Sequence, residues 1–165
     1  MSVEARVIPA GAQDQPVLRR LMSLYVYDFS ELIGLDVEED GAFELPELTP
    51  YWRDPWRHPF FIRADGKLAG FALVHGRSRL TGADGIHDMA EFFVLRKYRR
   101  RGVGEQAARE LFGRFPGPWE VRERSANLDA IAFWRRVIDR HTGGQFREVL
   151  WADDTWQGPV QLFAT

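Results

Sequence analysis

The sequence lacks cysteine altogether, since none of its 165 residues is of this type. This absence excludes disulfide bonds, thiolate-bound metals and a cysteine nucleophile. Histidine is also scarce, standing only at positions 58, 75, 87 and 141, and this spacing is not that of a metal site. We therefore predict that the protein uses no metal.

Long apolar runs and a strong net charge are missing as well. No apolar stretch approaches the length that crosses a membrane, and the start of the chain has no apolar signal-peptide core. The net charge of −2 argues against a nucleic-acid partner. A hydrophobic content of 45% with 28% charged residues is ordinary for a globular protein. These properties predict a single domain over residues 1–165, located in the cytoplasm, without a membrane or nucleic-acid partner.

Two familiar phosphate-binding motifs are absent too, namely the Walker loop and the Gly-x-Gly-x-x-Gly dinucleotide turn. The chain has instead the stretch Glu-Phe-Phe-Val-Leu-Arg-Lys-Tyr-Arg-Arg-Arg-Gly-Val-Gly at residues 91–104. Its apolar run, which ends at Val94, predicts a buried strand, and the segment after Gly104 has apolar residues at helical spacing. The stretch therefore predicts a strand, a glycine loop and a helix.

A glycine loop at the start of a helix is a favourable place for a phosphate. The first N–H groups of a helix have no partner within it and carry the positive end of its dipole. Gly102 and Gly104 lack the Cβ atoms that would keep a pyrophosphate away, and Arg99, Arg100 and Arg101 add positive charge. Taken in isolation, the basic run would more simply be a solvated turn or an RNA-binding patch.

A second segment supports the phosphate interpretation. The pattern Arg99-x-x-Gly102-x-Gly104 resembles the Gln/Arg-x-x-Gly-x-Gly/Ala signature of the GNAT superfamily, the acyl-CoA-dependent N-acyltransferases. Downstream, the segment Asn-Leu-Asp-Ala-Ile-Ala-Phe-Trp at residues 127–134 looks like that family's Asn-x-x-Ala-x-x-Phe-Tyr segment. The resemblance implies the GNAT fold, an α/β (α+β) architecture with a mixed, mostly antiparallel sheet of about seven strands flanked by helices.

The resemblance also implies which residues hold acetyl-CoA as cosubstrate. The pantetheine arm is expected along the backbone of the strand, and the pyrophosphate is expected against the glycine loop. The residues at the matching positions are Phe92, Phe93, Val94, Arg99, Arg100, Arg101, Gly102, Val103 and Gly104. By the same resemblance Asn127 bonds the pantetheine, while Ala130 and Phe133 lie on the helix beside the CoA. The alternative for Asn127 is a helix N-cap.

Acyl transfer to an amine requires a base, because an ammonium group with a pKa of about 10 cannot attack a thioester. The predicted strand offers two catalytic candidates, Asp88 and Glu91. Strand alternation places Asp88 on the face of Phe92 and places Glu91 on the opposite face. Relatives with a carboxylate at the matching position favour Asp88, whereas the bulge that is typical of this strand in the family favours Glu91.

One position departs from the family pattern. Relatives often have a Tyr that protonates the leaving thiolate, and this chain has Trp134 there. Another phenol such as Tyr25, Tyr27 or Tyr51 must then serve, or water, or the thiolate leaves unprotonated. Two functions stay open: an N-acetyltransferase that acts by direct attack of a primary amine, and a catalytically silent acyl-CoA-binding or regulatory module.

The acceptor is predicted only as a class, a small-molecule or peptide amine. Tyr27, Tyr51 and Trp52 are the candidate substrate-binding residues, because aromatic rings bind cations and apolar groups. The acidic residues between positions 36 and 47 are either a solvated surface or an entrance that attracts a cationic amine. The oligomeric state is left open, with a homodimer as one alternative.

The remaining patterns predict the order of elements. Residues 5–9 favour a first strand, and Asp14 with Pro16 favours the start of a helix. The pair Asp65-Gly66 between two apolar runs predicts a hairpin, and residues 146–163 predict a second one that turns at Asp153-Asp154. The predicted order is strand, helices, three strands, helix, strand, helix and a final hairpin.

Overall fold

The computed structural model describes residues 2–165, and over this range seven strands form one sheet. The strands are β1 (Ala5–Pro9), β2 (Arg57–Ala64), β3 (Lys67–Arg77), β4 (Asp84–Val94), β5 (Pro118–Arg122), β6 (Arg147–Ala152) and β7 (Gln157–Ala164). Their order across the sheet is β1-β2-β3-β4-β5-β7-β6. Neighbouring strands are antiparallel except β4 and β5, which run parallel. The predicted mixed, mostly antiparallel sheet is confirmed.

Four helices within the described residues flank the sheet. They are α1 (Gln15–Ile33), α2 (Pro50–Arg53), α3 (Val103–Arg114) and α4 (Leu128–Thr142). Helix α1 follows Asp14, has a proline in its first turn and ends at Gly34, whose φ of +68° is the left-handed conformation of a helix C-terminus. Between residues 2 and 165, no helix combines the length and the apolar character that crossing a membrane requires.

The sheet is covered on both faces by apolar layers. On one face, α3 and α4 pack through residues such as Phe112, Trp134 and Ile138 against Trp119 of β5. On the other face, α1 and α2 pack against β3 and β4 in a second apolar cluster. Because both faces of the central strands are covered, β4 has side chains that point into two different environments.

Both predicted hairpins are present. Asp65 and Gly66 have φ values of +48° and +77°, which is the two-residue turn that the Asp-Gly pair favours. In the second hairpin, the Asp153 carboxylate accepts hydrogen bonds from the backbone N–H groups of Thr155 and Trp156. This turn therefore holds Trp156 close to the end of β5, where the indole N–H donates to the Glu123 carbonyl.

Candidate active site

The parallel strands β4 and β5 pair over a short distance only. Their register joins His87 with Trp119 and Asp88 with Glu120, whereas β3 pairs with β4 as far as Val94. The β5-facing N–H and C=O groups of β4 beyond Asp88 therefore have no strand partner within the described chain. This open edge of β4 can accept an extended, amide-containing ligand in the place of a strand.

A β-bulge in β4 lies beside this edge. Leu73 of β3 pairs with Glu91 and Val74 pairs with Met89, so Ala90 is an extra residue in β4. Ala90 and Phe93 belong to the cluster under α1, while Met89 is in the opposite cluster with Phe92 packed against it. The bulge therefore turns Glu91 to the face that Asp88 occupies, which simple alternation would not do.

Glu91 is bonded to helix α1. Its Oε2 accepts a hydrogen bond of 2.5 Å from the hydroxyl of Tyr25, and its Oε1 lies 3.9 Å from Nη1 of Arg79. Burial raises the pKa of Glu91, and Arg79 and the Tyr25 hydrogen bond oppose this rise. The Glu91 side chain is still 32% exposed, so a ligand can reach it.

Asp88 has a different environment. It is 0% exposed, and its two oxygens lie 2.6 Å from Nε and 3.3 Å from Nη2 of Arg79. The backbone N–H of Arg79 and the hydroxyl of Ser78 both donate to the Glu120 carboxylate. Arg79, Asp88, Glu91 and Glu120 thus form one charged cluster, in which both oxygens of Asp88 are already engaged.

Tyr51 and His75 form a neutral pair beside this cluster. The Tyr51 hydroxyl lies 2.8 Å from Nε2 of His75. Burial, followed by the charge of Glu91, raises the pKa of Tyr51 to about 12. Burial, followed by the charge of Arg79, lowers the pKa of His75 to about 3. Near neutral pH both side chains are uncharged, so they can shape the site but cannot supply charge.

The glycine loop, residues 99–104, lies at the end of β4 and leads into α3. Arg100 and Gly102 have φ values of +59° and +77°, and the hydrogen bond from the Gln106 N–H to the Gly102 carbonyl belongs to the first turn of α3. The N–H groups before Gln106 therefore have no partner within the helix. Successive N–H groups in such a conformation form a concave site for an anion.

Arg99 supports this loop rather than extending freely. Its Nε donates to the Val94 carbonyl at 2.8 Å and its Nη2 donates to Asp28 of α1 at 2.6 Å. Arg96 also pairs with Asp28. Arg100 and Arg101 are exposed, so they are the two arginines of the loop that can meet a phosphate.

Gly104 is required by packing as well as by access. A Cβ atom at this position would lie 3.1 Å from the Phe133 ring, which stacks on Phe92. Trp134 is buried, with its ring centroid 5.0 Å from that of Phe92 and 4.9 Å from that of Phe133. The indole at the position of the family's tyrosine thus belongs to the apolar core.

Asn127 begins helix α4. Its Oδ1 accepts a hydrogen bond of 3.2 Å from the Ala130 N–H, so the residue is an N-cap. The Asn127 Nδ2 group is not needed for this bond and can donate to a ligand. The cap and the ligand contact are therefore compatible in one side chain.

The three residues predicted to bind substrate lie in different surroundings. Tyr51 is buried against His75, and the indole N–H of Trp52 donates to the Ala10 carbonyl at 2.9 Å. Tyr27 is 64% exposed on α1. The acidic residues between positions 36 and 47 are exposed. Of these groups, Tyr51 is the one whose pKa is affected by the charge of Glu91.

Several residues of this site were not singled out in the sequence. The sequence around Arg79 and His75 does not indicate a functional role, because Arg79 lies in a loop and His75 follows an apolar run. Glu120 and Arg122 could have been found, since they alternate with Trp119 and Val121 and so share one face of β5. His87 lies on the opposite face, between the rings of Phe115 and Trp119.

No group of His, Asp or Glu side chains in residues 2–165 is arranged to hold a metal.

The chain is similar to known acetyltransferases both in sequence pattern and in fold. The model of the family described as Acetyltransferase (GNAT) family matches residues 19–138. A search of curated protein sequences found no match.

Three solved structures illustrate the similarity in fold. An acetyltransferase from Thermus thermophilus is 20% identical, with a TM-score of 0.67 and 100% coverage of both chains. The aminoglycoside acetyltransferase AAC(6')-Ib in complex with coenzyme A is 14% identical, with a TM-score of 0.66, and the match covers 98% of this chain and 95% of that one. The spermidine N-acetyltransferase from Vibrio cholerae in complex with CoA and spermine is 8% identical, with a TM-score of 0.62 and coverage of 96% and 93%.

Proposed function

The chain belongs to the GNAT acetyltransferase family, and on this premise we propose that it transfers an acetyl group from acetyl-CoA to a primary amine by direct attack. The observation that carries the proposal is the open edge of β4, which ends at the N-terminus of α3. A strand edge suits the amides of pantetheine, and a helix N-terminus suits a pyrophosphate. Few other ligands need both features in this order.

The cosubstrate is proposed to lie between β4 and β5. Pantetheine pairs with the backbone of Phe92, Phe93 and Val94, and the amide of Asn127 donates to it. The pyrophosphate meets the N–H groups of residues 101–104, with Arg100 and Arg101 adjacent. Ala130 lies on α4 beside this cleft and Phe133 packs on Gly104, whereas the side chain of Val103 is buried in the core, so that Val103 contributes only its backbone N–H. When bound, acetyl-CoA supplies a thioester that a neutral amine can attack.

Glu91 is the proposed base. It is reachable, its pKa is raised by burial, and a carboxylate with a raised pKa takes a proton more readily near neutral pH. Asp88 is less suitable, because both of its oxygens are engaged by Arg79. We propose that Asp88 holds Arg79 in place, while Glu91 removes the proton from the amine directly or through water.

The leaving thiolate has no tyrosine at the position that the family often uses. Trp134 lies in the core and has no acidic proton to donate. Tyr25 is committed to Glu91, and burial raises its pKa well above its usual value, so it stays protonated. Tyr51 is bonded to His75 and burial raises its pKa to about 12, so the proton for the thiolate is proposed to come from water.

A thiol-release assay with acetyl-CoA and a panel of amines tests this function. The panel includes polyamines, aminoglycosides, amino acids and peptides, and each rate is corrected for hydrolysis without amine. We expect turnover with at least one amine and loss of that turnover in Glu91→Gln. If calorimetry detects acetyl-CoA binding but no amine is acetylated, the silent acyl-CoA-binding module is the correct function. If acetyl-CoA does not bind at all, both functions are wrong.

A further inference from the structure

Arg122 is the last residue of β5, and its guanidinium has neither an ion-pair partner nor a hydrogen-bond partner in residues 2–165. Its Nε is buried and has no hydrogen-bond partner, and no carboxylate of the described chain forms an ion pair with its guanidinium. The residue as a whole is only half-buried, so the outer nitrogens of the guanidinium can reach a ligand. A guanidinium in such a place lacks the hydrogen bonds that its five N–H groups could make.

The position of Arg122 relates it to the charged cluster. Residues 120 and 122 of β5 point to the same face, and Glu120 is in register with Asp88. The bulge at Ala90 brings Glu91 to this face as well. The guanidinium of Arg122 is repelled by that of Arg79 and attracted by the carboxylates of Asp88, Glu91 and Glu120. The unpaired guanidinium of Arg122 and the partly exposed carboxylate of Glu91 therefore face the same space.

The other charged groups of this space already have partners. Asp88 is bonded to Arg79, Glu91 accepts from Tyr25, and Glu120 accepts from Ser78 and from the Arg79 N–H. Arg122 has neither an ion pair nor a hydrogen bond within the described residues. The same holds for Arg124, which is exposed and lies farther from the Trp156 ring, at 5.2 Å from its centroid.

Trp156 packs against the guanidinium of Arg122. The centre of the guanidinium lies 4.1 Å from the centroid of the Trp156 ring. The indole is itself fixed by its hydrogen bond to the Glu123 carbonyl. Stacking occupies the face of a guanidinium and leaves its edge, which carries the N–H donors, free for an oxyanion.

We propose that Arg122 binds the carboxylate of an amino-acid-like acceptor whose amine faces Glu91. This inference rests on the proposed function and names its substrate class. A free amino acid carries an amine and a carboxylate a few atoms apart, and the site offers the Glu91 carboxylate and the Arg122 guanidinium on the same face of neighbouring strands. A planar carboxylate fits the guanidinium edge through two parallel hydrogen bonds.

The test uses matched pairs of acceptors, each amino acid with its own carboxamide. The two members share the side chain and differ in the carboxylate, whose charge also raises the pKa of the neighbouring amine, so each rate is expressed per neutral amine. For the accepted amino acids, wild type should have a kcat/KM roughly 10–100-fold higher for the acid than for the carboxamide. Arg122→Gln should lose this preference through a higher KM for the acid, with the carboxamide nearly unaffected. Arg147→Gln, at an exposed arginine of β6, is the matched control and should keep the preference.

Two results would overturn the proposal. One is a panel in which no amino acid is preferred to its carboxamide. The other is an equal loss for acid and carboxamide in Arg122→Gln, because Arg122 would then act on Glu91 or on the acetyl group. If no amine of any class is acetylated, the proposed catalytic function fails separately. In that event the same pairs are titrated into the CoA-saturated protein by calorimetry, and equal affinities for acid and carboxamide would overturn the carboxylate site as well.

Discussion

The glycine loop and the charged cluster are built in different ways. The loop consists of six consecutive residues, 99–104, and it offers mainly backbone N–H groups. The cluster consists of side chains from β4, β5 and the segment after β3, with Tyr25 of α1 bonded to it. A backbone site tolerates sequence change as long as the conformation persists, whereas a side-chain site depends on each of its members. Substitutions in the loop should therefore change the affinity for acetyl-CoA. Substitutions in the cluster should change turnover, specificity and stability.

The largest effect is expected from Glu91→Gln. Removal of a general base lowers turnover by roughly 10²–10⁴-fold, and the affinity for acetyl-CoA should stay within about twofold, because Glu91 lies outside the loop. Activity should return in part at high pH, where more of the amine is already neutral. Rates measured from about pH 6 to pH 10 check this, with calorimetry for acetyl-CoA. Near-wild-type rates over the whole range would show that Glu91 is not the base.

Asp88→Asn should lower the free energy of unfolding. Removing Asp88 leaves Arg79, which is 24% exposed, with only the longer contact to Glu91, and should cost up to roughly 3–5 kcal/mol of unfolding free energy, the cost of breaking a buried ion pair. Asp84→Asn, in the same strand, is the matched control, because Asp84 is 78% exposed in its pair with Arg77 and such pairs contribute about 0–1 kcal/mol. Urea unfolding of both variants gives the comparison. The double variant Asp88→Asn with Arg79→Met should regain much of the loss, and equal costs at positions 84 and 88 would contradict the assigned role of Asp88.

Glu123 follows β5 and lies outside both regions, close to Gln161 and Glu148, and it should make stability depend on pH. It is buried, and burial raises its pKa to about 8, with the Gln161 amide opposing this rise and the charge of Glu148 adding to it. Because the folded state holds this proton more tightly than the unfolded state, stability is complete below the unfolded pKa of about 4.5 and falls as pH rises to about 8.

Glu123→Gln should remove this dependence, since the amide stays neutral at every pH. Above about pH 8 the variant should be more stable than wild type by on the order of 5 kcal/mol, and near pH 4.5 this contribution to the difference should vanish. Urea unfolding of both proteins at about pH 5 and about pH 9 measures the change, and other titrating groups cancel in the comparison. A pH-independent difference between the two proteins would show that Glu123 does not titrate in this range.

At the loop, Gly102→Val should weaken acetyl-CoA binding by roughly 10²-fold, which is the loss of one or two charge-assisted hydrogen bonds. Gly102 has a φ of +77°, and a β-branched residue would pull the loop out of this conformation. Gly34→Val is the control, because Gly34 has a φ of +68° and open space around it at the end of α1. Calorimetry should give weak binding in the first variant and wild-type binding in the second. Wild-type affinity in Gly102→Val would remove the loop from the proposed site.

The same contrast explains how much could be predicted from the sequence. The strand, glycine loop and helix form one continuous segment. The periodicity of its apolar residues, the spacing of its glycines and its run of arginines were therefore sufficient to predict them. The hairpin at Asp65-Gly66 was predicted for the same local reason. The sheet and its mixed direction followed from the order of elements together with the family resemblance.

The charged cluster could not be predicted in this way. Whether Glu91 shares a face with Asp88 depends on the bulge at Ala90, and a bulge is set by pairing with β3 rather than by the sequence of β4 alone. Arg79 comes from a loop whose composition predicts only a turn. The pairing of Asp88 with Arg79 therefore becomes visible only when the strands are assembled.

The smallest effects are expected at Asn127. Its Oδ1 caps α4, so Asn127→Ala should cost about 1 kcal/mol of unfolding free energy, whereas Ser and Asp, which also cap helices, should cost less. If Nδ2 also donates to the cosubstrate, all three variants should raise the KM for acetyl-CoA, by roughly 2–10-fold for one neutral hydrogen bond. Asn127→Ser is the informative variant, because it keeps a capping oxygen and loses the donor that reaches the ligand. Normal stability with a raised KM in this variant supports the double role, and normal stability with an unchanged KM would leave Asn127 as a cap alone.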